Sequence, residues 1–347
     1  MNMIRKKTIL AILIMVATTF TMTLQAQNDK KEFKLFEHLD LGVTMGTTGL
    51  GIDVASPIGE YVQVRTGFEI MPRFEMNMNF EIQSFYYDEN GKLQPSEFEK
   101  MAQKLEALTN YHATPSVVMV GKPTFWNYKF MIDVFPFRNK HWHFTAGFHW
   151  GPSKVAEAIN SLEDAPSLVA VNIYNKLYEK AESGEPIYKG IFLGSDWLEY
   201  GRLGVHVGEY VDRYLTKTVV EYDEYGDYIG THEEFILDEN GNKIHEPYRM
   251  EPDNNCTVSA KVKVNSFKPY LGFGYGGRLL KNDDRYNISF DAGLMFWGGT
   301  PDIITHDGTN LSKDVQNIEW RVGDYVDLIK GVKAFPVLNL RITRRLF

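Results

Sequence analysis

The most constraining feature of this chain is a strict alternation of apolar and polar residues, repeated along its length in stretches of about the 9 to 11 residues that a membrane-spanning strand needs. It is plainest in YVQVRTGFEI, where Val62, Val64, Thr66, Phe68 and Ile70 face one way and Gln63, Arg65, Gly67 and Glu69 the other. The same period runs through Leu39–Met45, Leu50–Ser56, Trp126–Pro136 and Trp142–Trp150. It recurs in Val258–Val264, Pro269–Tyr275, Asn287–Phe296 and the C-terminal run FPVLNLRITRRLF. Half-buried strands of a soluble sandwich share this pattern, so alternation alone leaves two architectures open.

The N-terminus favours the membrane. Arg5, Lys6 and Lys7 precede an apolar run from Ile9 to Leu24 that ends at LQAQ, the form of a secretory signal peptide over residues 1–26. No later stretch supplies 18 consecutive apolar residues, so a membrane-embedded chain of this kind crosses as strands. Trp126, Trp142, Trp150, Trp297 and Tyr61 are expected to form interfacial girdles. A single cysteine, Cys256, excludes an internal disulfide framework, and a formal net charge of −8 argues against a nucleic-acid partner.

The segments FMIDVFPFRNKHWHFTAGFHWG, FKPYLGFGYGG, YNISFDAGLMFWGGTP and VKAFPVLNLRITRRLF resemble the small OmpA- or OmpW-like barrels of Gram-negative outer membranes. That resemblance implies an outer-membrane location, contact with outer-membrane lipid and the barrel assembly machinery, and a terminal aromatic, Phe347, as the assembly signal. It supplies no catalytic or ligand residues.

The expected fold is therefore all-β: a transmembrane antiparallel β-barrel over residues 27–347, monomeric, with helical and hairpin insertions in its long loops. Nine alternating runs are counted, whereas both chain ends on one side require an even number. Eight strands result if residues 258–275 form one strand bent at NSFK. Ten result if NSFK is a turn and RLGVHVGEYV, residues 202–211, adds a strand.

SPIGE and PFRNKH read as short turns, and long inserts span 72–125 and 151–256. The first carries a helix signal with a Ser96/Glu99 capping box. The second is expected to begin with helices over 153–181 and to continue as a hairpin turning at DEYGDY and DENGNK. It holds 21 Asp and Glu against 9 Lys and Arg, a net of −12. A further amphipathic helix is expected over 313–330, with Val315, Ile318, Val322, Val326 and Ile329 on one face.

The residues on the polar parity define an expected barrel-interior network: Asp53, Arg65, Glu69, Lys129, Asp133, His149, Lys261, Lys263, Asp291 and Arg341, with Asp40 beside them. A balanced set of charges reads as a plug, or as the wall of a narrow solute path. His141, His143 and His149 share that parity without a third ligand in view, and the DEN turns do not match a calcium loop, so no metal or cofactor is expected. Ser259 and Ser289 lie outside any serine-hydrolase motif, and no enzyme is expected. Two functions remain: a small-solute channel, or an anchor displaying the acidic insert.

Overall fold

The computed structural model describes residues 37–346, apart from 84, 88–92, 96–101, 104–105, 108–109, 111–115, 162–164, 199–200, 224, 226 and 319. The expected signal peptide, the Ser96/Glu99 capping box and Phe347 lie outside the described residues.

The chain begins with β1 (Asp40–Gly46), β2 (Gly49–Pro57) and β3 (Val62–Ile70), followed by β4 (Met76–Gln83), β5 (Phe85–Tyr87), β6 (Leu93–Pro95) and β7 (Ser116–Pro123). It continues through β8 (Trp126–Val134), β9 (Trp142–Trp150), β10 (Lys154–Asn160), helix α1 (Ala165–Ser183) and β11 (Gly204–Tyr214). Next come β12 (Thr216–Tyr222), β13 (Tyr228–Phe235), β14 (His245–Met250), β15 (Ser259–Lys263), β16 (Phe267–Leu280) and β17 (Asp283–Phe296). The last elements are β18 (Asp302–Thr305), β19 (Val315–Gln316), helix α2 (Trp320–Gly331) and β20 (Ala334–Arg345).

Eight of these strands close an antiparallel barrel in the order β1-β2-β3-β8-β9-β16-β17-β20. Closure is made by β1 against β20, with Asp40 opposite Arg345 and Gly46 opposite Asn339. Alternation sets the faces. Leu41, Val43, Ile52, Phe68, Phe144, Leu271, Phe273, Leu338, Leu340 and Ile342 stand exposed on the outside, while the opposite parity is polar and buried. A surface of this composition costs free energy in water and none in hydrocarbon, which makes it the wall of a transmembrane barrel.

Trp126 and Trp150 meet edge to face at one rim, with ring centroids 6.2 Å apart. Trp142 packs on Tyr275 at the other, 5.0 Å away. Eight residues along β9 separate the rims, about 26 Å before tilt, against an apolar band about 25 Å tall in such barrels. Trp297 is a correction to the expected girdle: it stacks on Phe335 at 5.4 Å and packs against the buried Met131, Tyr270, Met295 and Val337.

The eight-strand count holds, but not by the route the sequence suggested. Residues 258–263 are not the upper half of a bent barrel strand; β15 belongs to a second sheet, ordered β14-β11-β4-β7-β10-β15-β18, with β19 beside β11. The proposed tenth strand over 202–211 lies in the same sheet, as β11.

The three long connections that build this sheet, 71–125, 151–266 and 297–333, all leave one end of the barrel. The short turns at 58–61, 135–141 and 281–282 lie at the other. Five cap strands repeat the order of the barrel strands that they follow or precede in the chain: β4-β7-β10-β15-β18 above β3-β8-β9-β16-β17. Backbone bonds cross the breaks, including Thr124 N–H to Val155 O at 3.0 Å, Gly151 N–H to Ser266 O at 3.1 Å and Val264 N–H to Ser153 O at 2.9 Å. The cap is thus the barrel wall continued beyond the bilayer.

The cap has its own apolar core. Val117 and Met119 of β7, Val205 and Val207 of β11, Tyr248 and Met250 of β14 and Ile303 of β18 pack with Leu168, Val171 and Tyr174 of α1 and Val322 and Val326 of α2. The outer strands β14 and β18 are tied by side chains rather than a ladder. The Tyr248 hydroxyl donates to Asp307 Oδ2 at 3.0 Å and lies 2.9 Å from Thr305 Oγ1, and His306 Nε2 lies 2.8 Å from Glu251 O.

Two helix boundaries differ from the sequence expectation. The stretch read as helical from residue 153 begins as β10, because β7 and β15 pair with it on both sides; the helix starts only at Ala165. The helix expected over 313–330 starts at Trp320, since Val315 pairs with Tyr210 of β11 as part of β19.

Candidate functional site: the charged lumen and its cap

The barrel interior is filled by side chains that reach across it. Asp53 of β2 receives Arg341 Nε of β20 at 2.9 Å on Oδ1, while its Oδ2 lies 3.2 Å from Lys129 Nζ of β8. Lys129 also donates to Glu69 Oε1 at 2.8 Å and to Thr44 Oγ1 at 3.1 Å. His149 Nε2 stands 3.4 Å from the other oxygen of Glu69. A second cluster centres on Arg65 of β3, which lies 3.0 Å from Asp133 Oδ2 and 3.1 Å from Asp291 Oδ2. Thr145 donates to Asp133 at 2.7 Å, and His143 Nε2 meets Asp291 Oδ1 at 2.6 Å.

All of these side chains are buried, none of them more than 7% exposed. Buried charge is tolerable only when paired and hydrogen-bonded. The four carboxylates Asp53, Glu69, Asp133 and Asp291 each lie within 3.2 Å of an Arg or Lys nitrogen. Asp40 sits at the rim near the chain ends, with His38 at 3.5 Å and Arg345 at 3.9 Å.

Glycines make room for this filling. A Cβ on Gly42 would come within 2.6 Å of Asp53 Oδ1 and 2.9 Å of Arg341 Nε. One on Gly274 would collide with His143 Nε2 and Asp291 Oδ1. Side chains of these layers reach one another across the lumen. Met131, Tyr270, Met295 and Val337 form a small buried apolar cluster among these polar side chains.

The structure places Asp53, Arg65, Glu69, Lys129, Asp133, His149, Asp291 and Arg341 together in the lumen. Lys261 and Lys263 are elsewhere. Both lie in β15 of the cap, opposite Ile304 and Asp302 of β18, where half-exposed alternation looks the same in sequence as barrel alternation. The lumen lysine that sequence reasoning missed is Lys268, fully buried in β16, with its ammonium 3.2 Å from Asn127 Oδ1 and 3.3 Å from Ser266 O. Its signal was present: Lys268 shares the even, inward parity of Tyr270, Gly272 and Gly274, but was absorbed into the supposed NSFK bend.

His141 lies within 2.8 Å of the Gly276 carbonyl through Nδ1, and His143 is committed to Asp291. Among the described residues no group of three His, Cys, Asp or Glu could hold a metal ion. Ser289 sits in the barrel opposite Arg341, and Ser259 in the cap beside His306. The two serines therefore share no site.

No protein-family model matches this sequence, and no curated protein matches it. Among solved structures, it is similar to CarO2 of Acinetobacter baumannii, at 11% identity over 90% of this chain and 99% of that one, with a TM-score of 0.35. CarO of the same organism gives 12%, 90%, 99% and 0.36. A major outer membrane protein from Thermus thermophilus gives 9%, 89%, 98% and 0.26. None of these likenesses carries the OmpA- or OmpW-like resemblance further. By its own strand pairing, the chain is a closed eight-stranded antiparallel barrel of the transmembrane kind.

Proposed function

We propose that this protein is an outer-membrane anchor: a barrel closed by its own side chains that holds the acidic cap on the outer face of the membrane. One observation carries this reading. The lumen cations Arg65, Lys129 and Arg341 are spent on carboxylates across the barrel and Lys268 on Asn127 and the Ser266 carbonyl, and the wall beyond them turns its inner parity to an apolar core. A solute path would need a continuous line of polar groups free to exchange partners with the solute, and the paired, buried set offers none.

The location is supported by the exposed apolar wall, the rims of tryptophan and the export signal read in residues 1–26. Placing the cap outside follows the habit of such barrels, which keep short turns in the periplasm and long loops outside. Liposome swelling tests the closed barrel. Proteoliposomes carrying the refolded protein are expected to take up arabinose no faster than empty liposomes, and porin-like swelling would overturn the anchor reading. Protease added to intact cells is expected to cut the cap, whereas protection until the outer membrane is opened would place the cap inside.

A further inference from the structure

Among the described residues, two hairpins stand apart from both sheets, the short β5–β6 pair and the longer β12–β13 arm. Strands β12 and β13 pair only with each other, and nearly every residue in them is exposed. An isolated two-stranded hairpin is marginal in water, so this one is held at its ends. At the root, Leu215 N–H donates to Ile244 O at 2.9 Å and Ile236 N–H to Leu215 O at 2.9 Å, while Lys243 Nζ lies 3.5 Å from the centre of the Phe235 ring. At the tip, Asp223 Oδ1 accepts the backbone N–H groups of Tyr225 at 2.9 Å and Asp227 at 2.8 Å.

Its two faces differ. On one, His232 lies between Glu221 at 2.7 Å and Glu234 at 3.2 Å, and Lys217 reaches Glu234 at 3.6 Å, so these two of the arm's carboxylates have partners within it. The other carries Val220, Tyr222, Tyr228 and Phe235, and the tip adds Tyr225, which is 89% exposed.

We propose that the β12–β13 arm is a docking site for a protein segment bearing arginine or lysine side chains, its tyrosine tip and carboxylates meeting the cations. The proposal names the partner class of the anchor proposed above and rests on that reading. Charge selects the occupant. Residues 216–244 hold eight Asp and Glu against two Lys, a net of −6. A second copy of a chain of net charge −8, or an anionic lipid surface, is repelled by such an arm. Guanidinium and ammonium groups gain both from tyrosine faces and from carboxylates. Tyrosine is also among the residues enriched where binding energy concentrates at interfaces.

The test uses the full refolded chain in detergent micelles and a fluorescein-labelled nona-arginine peptide, at low and high salt. The wild type is expected to bind in a salt-sensitive manner. Joint Tyr222→Ala, Tyr225→Ala and Tyr228→Ala substitution leaves the charge unchanged and is expected to weaken binding about tenfold, whereas the matching Phe variant retains it to within about threefold. No binding by the wild type, or equal binding by the Ala variant, overturns the proposal. So does a dimer that the Ala variant dissolves, or arm-dependent flotation with phosphatidylglycerol vesicles, since either puts a different occupant on the arm. Swelling and peptide binding are read separately, so an open barrel and a silent arm are distinguishable failures.

Discussion

The barrel and its cap are one wall with opposite interiors. On the even parity of the β15–β16 ribbon, Lys268 and Tyr270 face the polar lumen, while Ala260 and Val262 a few residues earlier turn to the apolar core of the cap. The odd parity of β7 and β8 repeats the change, from Val117 and Met119 in the cap to Asn127 and Lys129 in the barrel. What differs is the medium outside. Hydrocarbon accepts Leu271 and Phe273 on the outer face and leaves the polar side chains to fill the middle, whereas water around the cap drives the apolar ones inward. Backbone bonds bridge the two sheets, so the inversion falls at the break between barrel strand and cap strand.

The comparison predicts unequal responses to substitution. The largest is in the lumen: Arg65→Ala leaves Asp133 and Asp291 without their shared cation and is expected to destabilise the barrel by about 3 to 5 kcal/mol. The midpoint of the heat-induced gel-mobility shift measures this, and an unchanged midpoint would break the account of a dry, charge-filled lumen. On the outer wall, Phe273→Arg places a charge against lipid and is expected to cost about 2 to 4 kcal/mol, read in the same assay. A Phe273 facing water would tolerate it.

In the cap, Leu168→Ala is expected to cost about 2 to 4 kcal/mol as a core truncation. Proteolysis of the cap should quicken while the barrel mobility shift stays put; a shift that moves with it would make the two regions one cooperative unit. The smallest effect is at the seam. Burial, with Asp307 adding to it, raises the Tyr248 phenol well above its ordinary value of 10. A raised folded-state value means that stability is full below pH 10 and is lost as pH climbs beyond it. Tyr248→Phe gives up about 1 kcal/mol at neutral pH and is expected to flatten the alkaline loss of cap stability, followed by near-ultraviolet circular dichroism. An alkaline loss as steep as that of the wild type would contradict the seam.

Much of the barrel is legible in the sequence because a membrane wall imposes period two at every strand, and inside and outside differ sharply in polarity. Arg65, Asp133 and Asp291 could be grouped by parity alone, since only their strand neighbours, not their distances, were needed. Lys261 and Lys263 were misassigned because a half-exposed cap strand alternates in the same way, and nothing in 258–264 tells lipid from water. The helix over 313–330 was drawn too long because Val315 and Ile318 also pack on the cap core, from a short strand and the bend after it rather than from a helix face. The cap sheet was illegible for a further reason: its neighbours come from three separate loops, and local pattern carries no information on such pairings.

Conductance across a planar lipid bilayer tests the central claim most directly, with the refolded barrel certified by its heat-dependent mobility shift. The account predicts no steady open level for the wild-type chain, because Arg65, Lys129 and Arg341 are held across the lumen by their carboxylate partners. A steady open level whose ion selectivity changes in Asp133→Asn would contradict it and make the same charges the wall of a solute path.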